Sequence, residues 1–166
     1  MRKFGILLVI ISLFLFGCAT NEVKLEKTQL QIRQFQTRIY DTNDTKMVIK
    51  AMINVLQDEG FIIKNAAMDL GLLCAEKTID IEDKAEAAAL ILLFGIHATW
   101  KKASVIECTA NVNEYGNQTR VRVNFQVKVL DNKGGIRGVK QIEDEKYYQE
   151  FFSKLDKAIF IQKEKL

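Results

Sequence analysis

Proline is absent from the 166 residues and histidine occurs once. Without proline, the chain reversals must be sought among Gly, Asn and Asp. The lone histidine, His97, is the only base available to a His-dependent triad, yet it stands in an apolar run with no serine or cysteine beside it in sequence, so it reads as packed or interfacial. The three cysteines, Cys18, Cys74 and Cys108, form no short-spaced ligand pair, which leaves a closed four-ligand zinc site without material. Gly134-Gly135 lacks the strand-to-helix context of a phosphate loop and reads as a turn. No catalytic constellation, cofactor motif or metal site emerges, and the expectation is a non-enzyme.

What is present begins at the N-terminus. Arg2 and Lys3 precede an uncharged stretch from Phe4 to Gly17 rich in Ile, Leu, Val and Phe, the layout of a cleaved secretory signal and too short for a span of about 20 apolar residues. It ends in Leu15-Phe16-Gly17-Cys18, which resembles the lipobox of bacterial lipoproteins, although Phe16 departs from that pattern. The resemblance implies cleavage before Cys18 and lipid, diacylglyceryl and palmitate-type acyl chains, on that cysteine. Because Ala19 is not an aspartate, it also implies the outer membrane, facing the periplasm, rather than retention at the inner membrane. Several acyl chains on one residue anchor stably where one alone does not. Cleavage removes Arg2 and Lys3 and leaves 22 basic against 21 acidic side chains. A nearly neutral, exported chain is not expected to bind nucleic acid.

Residues 18–31 read as a lipidated tether, because Asn21 to Gln31 is polar, of mixed charge and without strong apolar periodicity. Residues 32–166 have the length of one domain with a single core. Ile32 to Tyr40 reads as a strand with Phe35, Thr37 and Ile39 on one face. Asp41 to Asp44 offers N-caps for a helix carrying Val48, Met52, Val55 and Leu56, and Gly60 suits its left-handed end. Phe61-Ile62-Ile63 and Leu72 to Ile81, parted by Asp69-Leu70-Gly71, read as a hairpin. Ser104 to Asn113 is a strand with Ile106, Cys108, Ala110 and Val112 on one face, and Tyr115-Gly116-Asn117 turns it back. In the next strand Val121, Val123, Phe125, Val127 and Val129 oppose Arg120, Arg122, Asn124, Gln126 and Lys128, the pattern of an antiparallel strand with one wet face. Asp131 to Gly135 is a turn, Ile136 to Ile142 a last strand, and Tyr148, Phe151, Phe152, Leu155 and Ile159 mark a C-terminal helix. The order β-α-β-β-insertion-β-β-β-α predicts an α+β fold in two layers, an antiparallel sheet packed by two main helices, with an apolar helical insertion at about 82–102.

Three blocks of this chain resemble a family of uncharacterised proteobacterial lipoproteins. They are Thr37 to Asp41 running into Val55-Leu56-Gln57-Asp58-Glu59-Gly60-Phe61, then Asp69-Leu70-Gly71-Leu72, and Tyr148-Gln149-Glu150-Phe151-Phe152-Ser153-Lys154-Leu155. The resemblance implies lipoprotein status and fold, and no reaction. In element order and its Gly60-Phe61 step the chain is also similar to BamC-type lipoprotein domains, an analogy of fold alone.

Two features are candidates for contact with other molecules. The run Ala87 to Trp100, which includes Leu90, Ile91, Leu92, Leu93 and Phe94, is apolar nearly all round and shorter than the ~20 residues of a membrane span. It must bury in the core, meet a partner or second copy, or lie in the membrane interface. Arg120, Arg122 and Lys128 form a basic row on one strand face, suited to lipid phosphate or an acidic partner and equally to a solvated surface. Cys74 and Cys108 fall in strands that can be neighbours, so a disulfide and two free buried thiols are both open, the second favoured. The leading expectation is an envelope lipoprotein acting through protein–protein interaction or self-assembly. The alternative is binding or sensing of a small apolar ligand or lipid.

Overall fold

Alternation along Gln118–Leu130 makes this the strand around which the protein is built. The computed structural model describes residues 27–79, 104–130 and 135–164. In chain order these form α1 (Gln29–Phe35), β1 (Thr37–Tyr40), α2 (Thr45–Asp58), β2 (Ile62–Ala67), a 3₁₀ turn (Met68–Leu70), β3 (Leu72–Ile79), β4 (Ser104–Tyr115), β5 (Gln118–Leu130), β6 (Ile136–Gln141) and α3 (Glu145–Lys163). The six strands make one sheet in the order β1-β5-β4-β3-β2, with β6 also on β5, and every pairing is antiparallel. The protein is thus an α+β fold. Helices α2 and α3 cover one face through the apolar stripes expected of them, Val48, Met52, Val55 and Leu56 from one and Tyr148, Phe151, Phe152, Leu155 and Ile159 from the other. They meet Ile106, Cys108, Ala110 and Val112 of β4 and the valines and Phe125 of β5, all buried.

Local chemistry sets the joints. Asp44 caps α2 by accepting from the Met47 amide at 2.8 Å, and Asp144 does the same for α3 from Lys146 at 2.8 Å. Gly71 holds φ 65°, and a Cβ there would lie 2.0 Å from the Val112 carbonyl oxygen, so only glycine lets β3 begin this close to β4.

The expected first strand, Ile32 to Tyr40, is corrected. Its first part is helix α1, and only Thr37–Tyr40 is strand. Thr28 and Gln31 form a reciprocal capping box that starts a helix, Ile32 is buried, and Phe35 at i+3 packs its ring 5.2 Å from that of Tyr148. The boundary expected between residues 31 and 32 therefore falls inside a packed helix, and Lys27 already donates to the Glu143 carbonyl at 3.1 Å. The signal, Cys18 and the apolar insertion with His97 and Trp100 lie outside the described residues.

Strand β5 is longer than either neighbour on its outer edge. β1 pairs with Thr119 to Arg122 and β6 with Gln126 to Leu130, leaving a gap between them. The gap is closed by other groups. Val123 N–H donates to the Gln36 carbonyl at 2.9 Å, Ile142 N–H to the Phe125 carbonyl at 2.9 Å, and Phe125 N–H to the Tyr148 hydroxyl at 3.1 Å. The Gln36 side-chain amide, fully buried, donates to Tyr148 at 3.1 Å and to Asn124 at 3.2 Å, and Gln141 donates to the same Asn124 oxygen at 2.8 Å. Tyr40, by contrast, buries a hydroxyl that makes no hydrogen bond of ordinary geometry. Tyr148→Phe is expected to lower unfolding stability by about 1–3 kcal/mol, because it strands the Phe125 amide and one Gln36 contact, whereas Tyr40→Phe costs less than about 1 kcal/mol. Urea unfolding of the two variants, followed by circular dichroism, checks the contrast.

Candidate functional site

The helices occupy one face of the sheet, so the side chains that alternate outward from β1 to β6 form a second face with no described element upon it. Its positions follow from the register. Arg120, Arg122, Asn124, Gln126 and Lys128 of β5 stand opposite Asn113, Asn111, Thr109, Glu107 and Val105 of β4. Beyond β4 come Leu72, Cys74, Glu76 and Thr78 of β3, and on the other side Thr37 and Ile39 of β1 and Val139 and Gln141 of β6.

This face has two electrostatically distinct halves. In the first, Lys128 Nζ lies 3.0 Å from Glu107 Oε2, and the two side chains are only 23% and 16% exposed. Gln126 donates to the same carboxylate oxygen. Burial alone raises the Glu107 pKa, but the hydrogen bonds from Gln126 and Lys128 and the ammonium charge outweigh it and hold the carboxyl below its ordinary value. Glu76, directly across from Glu107, is matched by Lys64 at 3.4 Å. The second half carries Arg120 and Arg122, both exposed, among Thr109, Asn111, Asn113 and Asn124. Arg120 is steadied over the Tyr115 ring at 5.3 Å, and the Arg122 side chain has no ion pair among the described residues.

Arg120, Arg122 and Lys128 do share one strand face; Lys128 is engaged by Glu107, a partner on the neighbouring strand that periodicity along one strand does not reveal, while the two arginines make no ion pair among the described residues. The anticipated contact residues Leu90 to Phe94 and Trp100 lie outside the described residues.

Cys74 and Cys108 are free thiols. Ala75 pairs with Cys108 and Thr109 with Cys74, so the two cysteines are neighbours along adjacent strands, but alternation sends Cys74 to the open face and Cys108 into the core. Desolvation raises both thiol pKa values, and Glu107 adds to the shift in each case.

Neither a family model nor a curated protein matches the chain. A solved structure of a DUF4468 family protein from Bacteroides ovatus is similar over 74% of this chain and 84% of that chain, with 8% identity and a TM-score of 0.40.

Outside the sheet, a surface cavity of about 450 Å³ lies between α1 and α3, lined in part by Lys27, Gln31, Gln34, Arg38 and Gln149. Arg38 is paired with Asp156 at 2.6 Å and lies over the Phe152 ring at 5.1 Å, so its charge serves the fold. Among the described residues no cluster of His, Cys, Asp and Glu could hold a metal ion, and no helix is long and apolar enough to cross a membrane.

Two outcomes follow. Alkylation of unfolded, unreduced protein with an iodoacetamide reagent should modify both Cys74 and Cys108, as read by peptide mass, and a peptide pair linked through them would contradict the opposite-face placement. Because the folded Glu107 carboxyl has the lower pKa, its stabilisation is complete above the unfolded-chain value and is lost as pH falls through the folded one. Glu107→Gln should flatten the acid side of the stability profile between about pH 6 and 3, measured by urea unfolding.

Proposed function

We propose that this is an envelope lipoprotein, tethered by lipid on Cys18 to the outer membrane and facing the periplasm, that works by binding a protein partner or assembling with itself. The sequence supports the tether through Leu15, Phe16, Gly17 and Cys18 after a short apolar signal. The observation that carries the binding role is the one-sided sheet. Two helices bury one face, while the other presents Arg120, Arg122 and exposed Tyr115, residue types that dominate contact energies, beside amide-bearing side chains. In this reading the apolar run Ala87 to Trp100, on the strength of its sequence alone, supplies a second contact for the same purpose. Chemistry on a substrate has no residues assigned to it in this reading.

Binding of a small apolar ligand between sheet and helices is the competing reading. That layer is occupied by Phe125, whose ring lies 5.0–5.5 Å from those of Tyr147, Tyr148 and Phe151, so a ligand there would have to displace aromatic packing.

The test has two parts. Cells fed a clickable palmitate analogue should label the wild-type chain in the membrane fraction, and Cys18→Ser should abolish the label. Crosslinking followed by pull-down should then recover a defined partner, or the chain itself, from wild type and lose it when Leu90 to Phe94 are replaced by polar residues. Labelling without any crosslinked product would leave the anchor and overturn the binding role.

A further inference from the structure

Basic side chains continue past the sheet towards the tether. Thr37, which pairs with Arg122, donates its hydroxyl to the Arg33 carbonyl at 2.9 Å, so the last turn of α1 adjoins the arginine-bearing half of the open face. Arg33 is exposed, and α1 contains no acidic residue. The open-face positions of Thr37 and Ile39, of Thr109 to Asn113 and of Arg120 to Asn124 likewise include no carboxylate. One carboxylate borders this half: Asp41, just past the end of β1, takes a hydrogen bond from the Gln118 side chain at 3.5 Å at the edge beyond Arg120, whereas Glu114 alternates to the other side of β4. Apolar groups accompany these cations in solvent: Leu30, three residues before Arg33 on the same side of α1, is 79% exposed, Ile39 beside Arg120 is 47% exposed, and Tyr115 under Arg120 is 50% exposed.

We propose that this strip, Arg33, Arg120 and Arg122 with Leu30, Ile39 and Tyr115, docks the domain flat against the anionic headgroups of a phospholipid bilayer. Guanidinium groups reach lipid phosphate while a short apolar side chain and a tyrosine ring enter the headgroup boundary, the composition that interfacial surfaces share. The position of the incoming chain favours a bilayer over an acidic protein. Lys27 is fixed to Glu143, and the adjacent Ile142 is bonded to Phe125, three residues along β5 from Arg122, a distance of roughly 10 Å. From Cys18 to Lys27 the chain can extend at most about 30 Å. A lipid on Cys18 thus keeps the strip within reach of the surface that carries the anchor; this proximity rests on the proposed tether, whereas the attraction itself does not.

Each basic side chain near an anionic surface strengthens binding about fivefold, so three together amount to roughly a hundredfold, reduced by salt. The experiment uses the chain from residue 18 onward with Cys18→Ser, so that no acyl group contributes, and measures its sedimentation with vesicles of phosphatidylcholine alone or mixed with phosphatidylglycerol. Binding should require phosphatidylglycerol, weaken at high salt and fall roughly a hundredfold in the triple variant Arg33→Gln, Arg120→Gln, Arg122→Gln. Lysine at the same three positions should retain it. The triple variant Lys46→Gln, Lys50→Gln, Lys157→Gln, which removes equal charge from the helical side, should leave it unchanged. Equal sedimentation with both vesicle types, or an equal fall in the two glutamine variants, would overturn the proposal. So would unaltered vesicle binding in the arginine variant combined with loss of a crosslinked protein in cells, which would assign the strip to an acidic partner. Because the measurement needs neither acylation nor a partner, its failure is separate from failure of the lipoprotein reading.

Discussion

The outer edge of β5 sets the constraint to which the rest of the structure answers. Its thirteen residues expose more backbone donors and acceptors than the four of β1 and the six of β6 can pair. Backbone groups buried without partners cost free energy comparable to a lost hydrogen bond. The solution is a polar plug between two short strands: the carbonyl of Gln36, the amide of Ile142 and the hydroxyl of Tyr148. That arrangement fixes where α1 ends and where α3 begins, because Gln36 is the residue after α1 and Tyr148 lies in the first turns of α3. The Tyr148 ring also lies 5.5 Å from Phe125 and 5.2 Å from Phe35, so the plug and the aromatic core share one residue. Burial foremost raises the Tyr148 pKa, while its contacts to Phe125 and Gln36 act against that rise.

Much of the sheet was legible because burial on one side imposes a two-residue period. β4 and β5 carry it over twelve and thirteen residues, long enough that no helical reading competes. The stripes of α2 and α3 were legible for the same reason at a period near 3.6, and the left-handed Gly60, at φ 83°, stood where the first of those stripes ended.

The misreading at Ile32 to Tyr40 shows where that logic stops. Over a short segment, Phe35, Thr37 and Ile39 satisfy a strand pattern while Ile32 and Phe35 satisfy a helical one, and hydrophobicity cannot choose. The deciding signal was polar: Thr28 followed three residues later by Gln31, a capping box hidden within what reads as tether. The candidate face was half legible for a related reason. A strand's own alternation says which residues share a face, but the neutralisation of Lys128 depends on Glu107, which the β4–β5 register brings beside both Lys128 and Gln126. The strip from α1 to Arg122 is a product of the same register, through Thr37.

Ile79 and Ser104 are direct partners in the sheet, and the same row continues through Val129 to Gly138. The whole segment 80–103 therefore departs and returns on a single rung. In mechanical terms those two ends are clamped: Ile79 and Ser104 hold each other, and Val129 and Gly138 extend the clamp across two more strands. The register on which the core depends is thus locked at the very rung where the chain leaves β3 and enters β4.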